Sequence, residues 1–466
     1  MTKTLACFLV LLLSGCVSFH PEPLSTLQTL SVIENRSPAA PGLREFSETN
    51  LNQKISKWPP PSWDFDTLTL MAFYYHSDLD IARAKWKGAK AAIVTAGGRP
   101  NPSVGFSPQY NFNAASGISP WIYGVTFDIP IETMGKRKHR ISQARNLAQS
   151  AKFNFVMTAW QIRSRLWISL TQYEASKETL LVLKDQTQAQ EEYVKFLQGG
   201  LLSSRIANPD LWQAQIAFNR SRIALVDAER LVNETKTQLA DALGLPNPKM
   251  EDLKIAWDNK PAGENFSLQE IRKTALLSRP DIQASLAEYD ASQSALQLEI
   301  DKQYPDIHIG PGYTWDQGQN KWAAGITITL PVLNRNQGPI AEALAKREEA
   351  KARLIALQGK AIAEIERGFE NYQSALKKLK TAGKLFRIQE KQTRHLKAML
   401  KTGEAIRFAW ITSEAALDSA RLSYIDALTN ERLALGGLED AIQKPLRPSR
   451  IAALHFENLM NKGQSS

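Results

Sequence analysis

Few side chains in this sequence stand where they could do chemistry together. Six histidines offer metal binding or proton transfer: His20, His76, His139, His308, His395 and His455. They are scattered, and none pairs at metal-ligand spacing with another His, Cys, Asp or Glu. No glycine-rich loop follows a strand pattern in the way a phosphate-binding loop does. His308 falls in a strand-like run, where a single imidazole reads as a polar lining residue rather than a ligand. Gly135-Lys-Arg-Lys-His-Arg140 is the densest basic run. It follows a strand pattern directly and reads as interfacial charge near lipid headgroups. No catalytic site, cofactor site or metal site follows from these residues. The formal charge of +10 does not indicate nucleic acid, because Lys and Arg are spread along helical stretches among Glu and Asp, and no recognition motif accompanies them.

Cysteine offers one further chemistry. Lys3 is followed by an apolar run from Leu5 to Leu13, then Ser14-Gly15-Cys16. A basic start, a short apolar core and small residues before a cut site describe a secretory signal over residues 1–15, too short to span a bilayer. Leu13-Ser14-Gly15-Cys16 resembles a bacterial lipobox, in which Cys16 carries lipid, palmitate included, and becomes the first mature residue. An ordinary signal with an incidental cysteine is the alternative. Cys7 lies in the removed segment, so Cys16 has no disulfide partner in the exported chain. Val17 follows where an Asp would signal inner-membrane retention, which favours the outer membrane.

The elements around these residues are unusual in length. With 43% hydrophobic and 22% charged residues among 466, the chain is a folded protein of two or three domains, or of one duplicated domain. Residues 16–63 end in Pro59-Pro60-Pro61 and read as an extended, lipid-anchored tether. A helix is expected over about residues 65–97, ending at Gly97-Gly98 and Pro100. No Gly or Pro occurs from Ile141 to Gln198, a helix of about 85 Å at the usual rise. Ile362, Ile365, Phe369, Tyr372, Leu376 and Leu379 form a narrow seam of the coiled-coil kind, and Phe153, Trp160 and Trp167 repeat at heptad spacing. Breaks at Gly199-Gly200 through Asn208-Pro209, and at Thr402-Gly403, divide each long stretch into an antiparallel helical hairpin, the first helix longer than the second. A dimeric coiled coil would also account for the helices alone.

The chain also repeats itself at a distance of about 200 residues. Gly124-Val-Thr-Phe-Asp-Ile-Pro-Ile131 returns as Gly325-Ile-Thr-Ile-Thr-Leu-Pro-Val332, Asp80-Ile81 as Asp281-Ile282, Tyr173 as Tyr372, and Asp227-Ala228 as Asp426-Ala427. The repeat is a whole α-β-β-α module: residues 64–248, a linker over 249–266, a second copy over 267–443, and a tail over 444–466 without clear structure. The strands are expected at about 103–113, 120–131, 306–315 and 322–332. Trp121, Tyr123, Val125, Phe127, Ile129 and Ile131 fall on one face, with Gly124, Thr126 and Asp128 on the other, and the remaining strands alternate likewise. Strands of about ten residues with one apolar face and one small or polar face suit a transmembrane β-barrel, with Tyr110, Trp121, Trp315 and Trp322 as interfacial aromatics. A half-buried soluble sheet is the competing reading. Export and the helix lengths favour the barrel. Four strands close no lumen, so copies of the chain must share one, and three copies would give twelve strands.

These residues resemble the TolC-like outer-membrane efflux proteins over nearly the whole mature length. The resemblance rests on the duplication, Arg279-Pro280-Asp281-Ile282, Tyr304-Pro305, and the small-residue pattern from Gln143-Ala144 and Glu342-Ala343. Asp128-Ile-Pro-Ile-Glu-Thr-Met-Gly-Lys-Arg137 and Leu330-Pro-Val-Leu-Asn-Arg-Asn-Gln-Gly338 look like the cobalt–zinc–cadmium cation-efflux subunits. The resemblance implies a mixed α/β membrane protein: a homotrimer with a twelve-stranded barrel continued by a periplasmic α-helical barrel. It implies a passive duct, not an enzyme. The energy source is an inner-membrane transporter of the resistance-nodulation-division type, reached through a periplasmic adaptor. Adaptor contact and gating are expected at Gly199, Gly200, Leu201, Ser203 and Asp210, and at Thr402, Gly403 and Glu404. Asp210 matches the family's acidic tip position, whereas Ala409 stands near its counterpart. A drug or protein export duct, and a structural outer-membrane lipoprotein without transport, are the alternatives.

Overall fold

The computed structural model describes residues 17–202, 208–257, 266–402, 407–447, 449 and 450. Two short helices, α1 (Thr26–Glu34) and α2 (Pro41–Leu51), precede α3 (Phe65–Tyr75) and α4 (Ser77–Ala96). Strands β1 (Ser103–Tyr110) and β2 (Trp121–Ile131) lead into α5 (Lys136–Leu202) and α6 (Asn208–Leu243). The order then recurs: α7 (Leu268–Ser278), α8 (Pro280–Asp301), β3 (Ile307–Asp316), β4 (Gln319–Ile328), α9 (Gln337–Thr402) and α10 (Arg407–Ile442). The paired lengths repeat closely, with α5 and α9 at 67 and 66 residues and α6 and α10 at 36 residues each. At the usual rise α5 is about 100 Å long and α6 about half that.

The long helices pair as antiparallel hairpins. Ser176 meets Thr235 and Thr187 meets Ser221 between α5 and α6, while Lys378 meets Asp426 and Thr393 meets Ser413 between α9 and α10. Because α6 and α10 are short, the upper halves of α5 and α9 need other neighbours. These are α4 and α8, which continue the lines of α6 and α10. One junction is made at Gly244, whose φ of +69° ends α6 in a left-handed turn and whose missing Cβ lets Tyr75 approach; a Cβ there would lie 3.1 Å from Tyr75 Cβ. The wall therefore runs α6–α5–α10–α9 below and α4–α5–α8–α9 above.

A girdle of short elements packs on one side of this wall. Leu43 and Phe46 of α2, Trp63 just before α3, Leu68 and Met71 of α3, and Met250 join Phe155, Ile162 and Leu166 of α5 in the largest core. In the second repeat α7 packs Ala275 against Ile365, Tyr372, Leu435 and Leu438.

Several boundaries differ from the sequence reading. Of the extended tether expected over 16–63, residues 17–63 are described and are not one: α1 and α2 are helical and Leu43 is fully buried, because an apolar i, i+3 pair (Leu43, Phe46) finds the α3–α5 surface. The helix expected over 65–97 is split at His76, whose extended backbone ends α3 and whose Nδ1 accepts from Asp78 N–H to start α4. The linker joins the fold through a 3-10 turn (Asn247–Asp252) and a parallel bridge between Trp63 and Ile255. The tail is docked as far as Arg450, where Ser449 and Arg450 reach Asp66 and Asp64. Residues 1–16 and 451–466 lie outside the described residues.

The four strands form one antiparallel sheet in the order β1-β2-β3-β4. β3 and β4 meet in a two-residue turn, Gln317-Gly318, with φ of 50° and 97°, the left-handed pair that matches strand twist and that glycine permits. β4 ends at Ile328 rather than near 332, because its partner β3 begins at Ile307, which pairs with Ile328, so residues beyond have no ladder. β1 ends at Tyr110 rather than near 113, where its pairing with Trp121 stops.

Candidate functional site

Cross-strand partners in an antiparallel sheet share a face, and the register puts all the apolar sets together. Phe106 pairs with Val125, Val125 with Tyr313, and Tyr313 with Trp322. That face is bare: Phe106 is 67%, Ile326 71% and Trp322 82% exposed, and among the described residues no helix packs across the sheet. The aromatics form a band at the turn end, where Tyr110 stands edge-on to Trp121 at 5.1 Å and Tyr123 stacks on Trp315 at 5.8 Å. The outer edges of β1 and β4 have no partner strand among the described residues. The opposite face carries Gly124, Thr126, Asp128, His308, Gly312 and Thr327. His308, read from sequence as a solitary lining residue, has a partner: its Nδ1 lies 2.9 and 3.1 Å from the two Asp128 carboxylate oxygens.

The basic run after β2, expected to meet lipid headgroups, makes contacts inside the protein. Arg137 and Arg140 donate to the carbonyls of Ala96, Gly97 and Gly98 and so cap the C-terminus of α4, where the helix dipole favours cations. Arg140 also pairs with Glu132 at 2.6 Å. Lys136 Nζ bonds Tyr304 O at 2.6 Å and Asp306 at 2.7 Å. Burial alone would raise the Asp306 carboxyl. Lys136 and the Thr133 N–H outweigh that and hold it below its usual value. These contacts fix the strand-to-helix transition of one repeat against the other.

A groove of about 870 Å³ lies on the wall between α5, α9 and α10. Its lining residues on α5 (Trp160, Ser164, Ile168) are on the helix side opposite Phe155, Ile162 and Leu166, which face the girdle. The groove is therefore on the other side of the wall from the girdle. Under it, Arg279, 3% exposed, donates to both oxygens of Asp281, to Glu364 and to Ala441 O. Asp440 accepts from Trp160 and Ser164, and burial still raises its carboxyl above the ordinary range.

At the far end, α5 continues as helix through Gly199, Gly200 and Leu201 to Leu202. Of the break expected from Gly199-Gly200 through Asn208-Pro209, the two glycines are still helical, and α6 starts at Asn208 with Pro209 in its first turn. Packing of Val194 and Leu197 on Leu211 and Ala214 sustains the helix up to that point, against a glycine cost of about 1 kcal/mol each. Asp210 is exposed, and its charge adds to burial in raising the Tyr193 hydroxyl. Thr402 ends α9 and is exposed. Ser203, Gly403 and Glu404, like Cys16, lie outside the described residues.

One acidic group escaped the sequence reading. Glu414 and Asp418 of α10 lie in the seam facing Glu192 and Asp185 of α5. Burial, then the neighbouring Glu414 and Asp185 charges, push Asp418 up to about 6. The signal was present as spacing: acids four apart on one helix and seven apart on the other share a face. Among the described residues no group of three or more His, Cys, Asp or Glu could hold a metal ion, and no helix is long and apolar enough to cross a membrane.

A duplicated chain with long helical hairpins on one side and an open, apolar-faced sheet on the other defines a class of outer-membrane channel subunit. Residues 74–245 and 271–442 both match the outer membrane efflux protein family, and the chain belongs to that family. As a member it is a passive channel subunit and not an enzyme. It is similar to the cobalt-zinc-cadmium resistance protein CzcC of Cupriavidus metallidurans, 22% identical over 307 residues, covering 66% of this chain and 69% of that one. Its fold matches the outer membrane protein VceC of Vibrio cholerae with a TM-score of 0.66 at 16% identity, over 81% of this chain and 95% of VceC. It matches CusC with a TM-score of 0.65 at 15% identity, over 91% of this chain and 99% of CusC.

Proposed function

We propose that three copies of this chain form one outer-membrane exit duct of a tripartite efflux system, carrying divalent heavy-metal cations out of the periplasm. The observation that carries the reading is the sheet, with two unpaired edges and a continuous apolar face left bare. A membrane allows no unpaired edge, so the sheet must close on copies of itself, and three copies of four strands supply twelve. The apolar face then meets lipid and the polar face lines the pore. The wall has the same logic, since α9 and α6 stand at its two ends and are free to meet their counterparts in neighbouring copies.

Below the membrane the groove side of the wall becomes the duct and the girdle its outer belt. Cys16 carries the lipid that tethers the chain to the outer membrane. A periplasmic adaptor docks at the hairpin ends, at Gly199, Gly200, Leu201, Ser203 and Asp210 and at Thr402, Gly403 and Glu404. Through it an inner-membrane transporter of the resistance-nodulation-division type supplies the energy. The cargo is supported by the similarity to a cobalt-zinc-cadmium resistance protein. Deleting the gene and measuring tolerance to divalent metals and to drugs side by side tests it. Sensitivity to zinc, cobalt or cadmium is expected. Unchanged metal tolerance with drug hypersensitivity would assign the duct to drugs instead.

A further inference from the structure

We propose that the His308–Asp128 pair is a station for borderline divalent cations such as Zn²⁺ inside the pore, with His308 Nε2 as the ligand. The proposal rests on the duct reading for its placement, since it is there that the polar face of the sheet lines the lumen.

The geometry is that of an imidazole oriented by a carboxylate. Pro130 pairs with His308 across β2 and β3, which brings Asp128 to the diagonal position on the same face. Both carboxylate oxygens approach Nδ1, at 2.9 and 3.1 Å. An ionised carboxylate only accepts, so Nδ1 carries the proton, and in the neutral ring Nε2 is left with its lone pair. A carboxylate behind a ligating histidine fixes the tautomer and raises the basicity of the ligating nitrogen. The ring has no other hydrogen-bond partner among the described residues, and its side chain is 38% exposed. Its cross-strand neighbour is the small Thr327. Asp306, two residues away, pairs with Lys136 at 2.7 Å, and its charge also reaches the ring.

The site supplies one protein nitrogen per chain, with water completing the shell, and among the described residues no cluster of three or more ligating residues surrounds it. Such a site is weak and exchanges quickly. Conduction asks for that, because a pore must bind favourably enough to admit an ion and loosely enough to release it. The ligand is imidazole, so zinc and cadmium are favoured over magnesium, which prefers oxygen.

Two measurements on the purified full-length protein test the proposal. In planar bilayers with potassium chloride, ZnCl₂ should produce brief partial interruptions of the current that MgCl₂ does not. His308→Ala and His308→Gln should abolish them. Calorimetric titration with excess ZnCl₂ in detergent should show a weak binding component that is lost in His308→Ala and further weakened in Asp128→Ala. Zinc interruptions and zinc binding that persist in both His308 variants would overturn the proposal. Histidine-dependent zinc binding in a protein that forms no conducting pore would keep the site and overturn the duct.

Discussion

Replacing Arg279 by Met tests how the second repeat is locked. Arg279 is 3% exposed and makes charge-assisted bonds to Asp281 (3.0 and 2.6 Å), to Glu364 (3.1 and 3.2 Å) and to Ala441 O (2.5 Å). It thereby joins the start of α8 to α9 and to the end of α10. Methionine keeps much of the side-chain volume but leaves Asp281, 15% exposed, without its counter-charge. Removing one partner of a buried pair costs about 3–5 kcal/mol. The Asp281 carboxyl is held below its usual value: burial would raise it, and Arg279 reverses the sign. Its contribution is therefore present above the unfolded carboxylate pKa and is lost as pH falls through the lower folded value. Urea unfolding in detergent, followed by far-ultraviolet circular dichroism, should show a midpoint lower by about 1 M or more near neutral pH. The difference between native and variant should narrow in acid. Arg279→Lys should recover only part, because a point charge cannot replace the fork, and Asp281→Asn should rescue Arg279→Met in part. An Arg279→Met midpoint within error of the native protein, or no rescue by Asp281→Asn, would refute this reasoning.

Asp418 gives a pH prediction of opposite sign. Its carboxyl is raised from 3.8 to about 6, so the seam between the hairpins is stabilised below that window and loses the contribution as pH rises through about 6. For a half-exposed group this amounts to about 1 kcal/mol after solvent screening. The protection of α10 amides, taken relative to their intrinsic exchange rates, should therefore be greater in mild acid than at neutral pH in the native protein, and should not change between the two in Asp418→Asn. Gly436→Ala should lower the melting temperature, because its Cβ would sit 2.6 Å from Trp167 Cδ1 and disturb the Trp167 bond to Arg432 O; overpacking of this kind costs about 1–3 kcal/mol. Cysteines placed together at Ser107 in β1 and at Ala323 or Gly325 in β4 should cross-link copies of the chain into a covalent species of three chains, and a chain that stays monomeric would count against closure by pairing. Cys16→Ser should abolish incorporation of labelled palmitate.

Much of the fold was legible because its repeat and its periodicities are long. Alternation at Trp121, Tyr123, Val125 and Phe127 spans a full strand, and the register confirms that the apolar sets of all four strands coincide. The hairpins followed from the absence of helix breakers. Other features depended on tertiary contacts that local pattern does not encode. Pro59 to Pro61 suggested a tether, yet Leu43 and Phe46 have a ready apolar surface on α5 and fold onto it. Gly199 and Gly200 looked like a turn, but apolar packing beside them carries the helix past both. His76 was read only as an isolated histidine, whereas its ring nitrogen starts α4. The Asp128–His308 pair spans 180 residues of sequence, and only the β2–β3 register brings it together.

The conductance of the purified, full-length protein in planar lipid bilayers bears most directly on the duct. Closure of bare-faced sheets around a polar lumen predicts a wide, ohmic, long-lived conductance that passes both small cations and small anions. Protein shown to be inserted in the bilayer that leaves it insulating would contradict the duct and favour a structural lipoprotein.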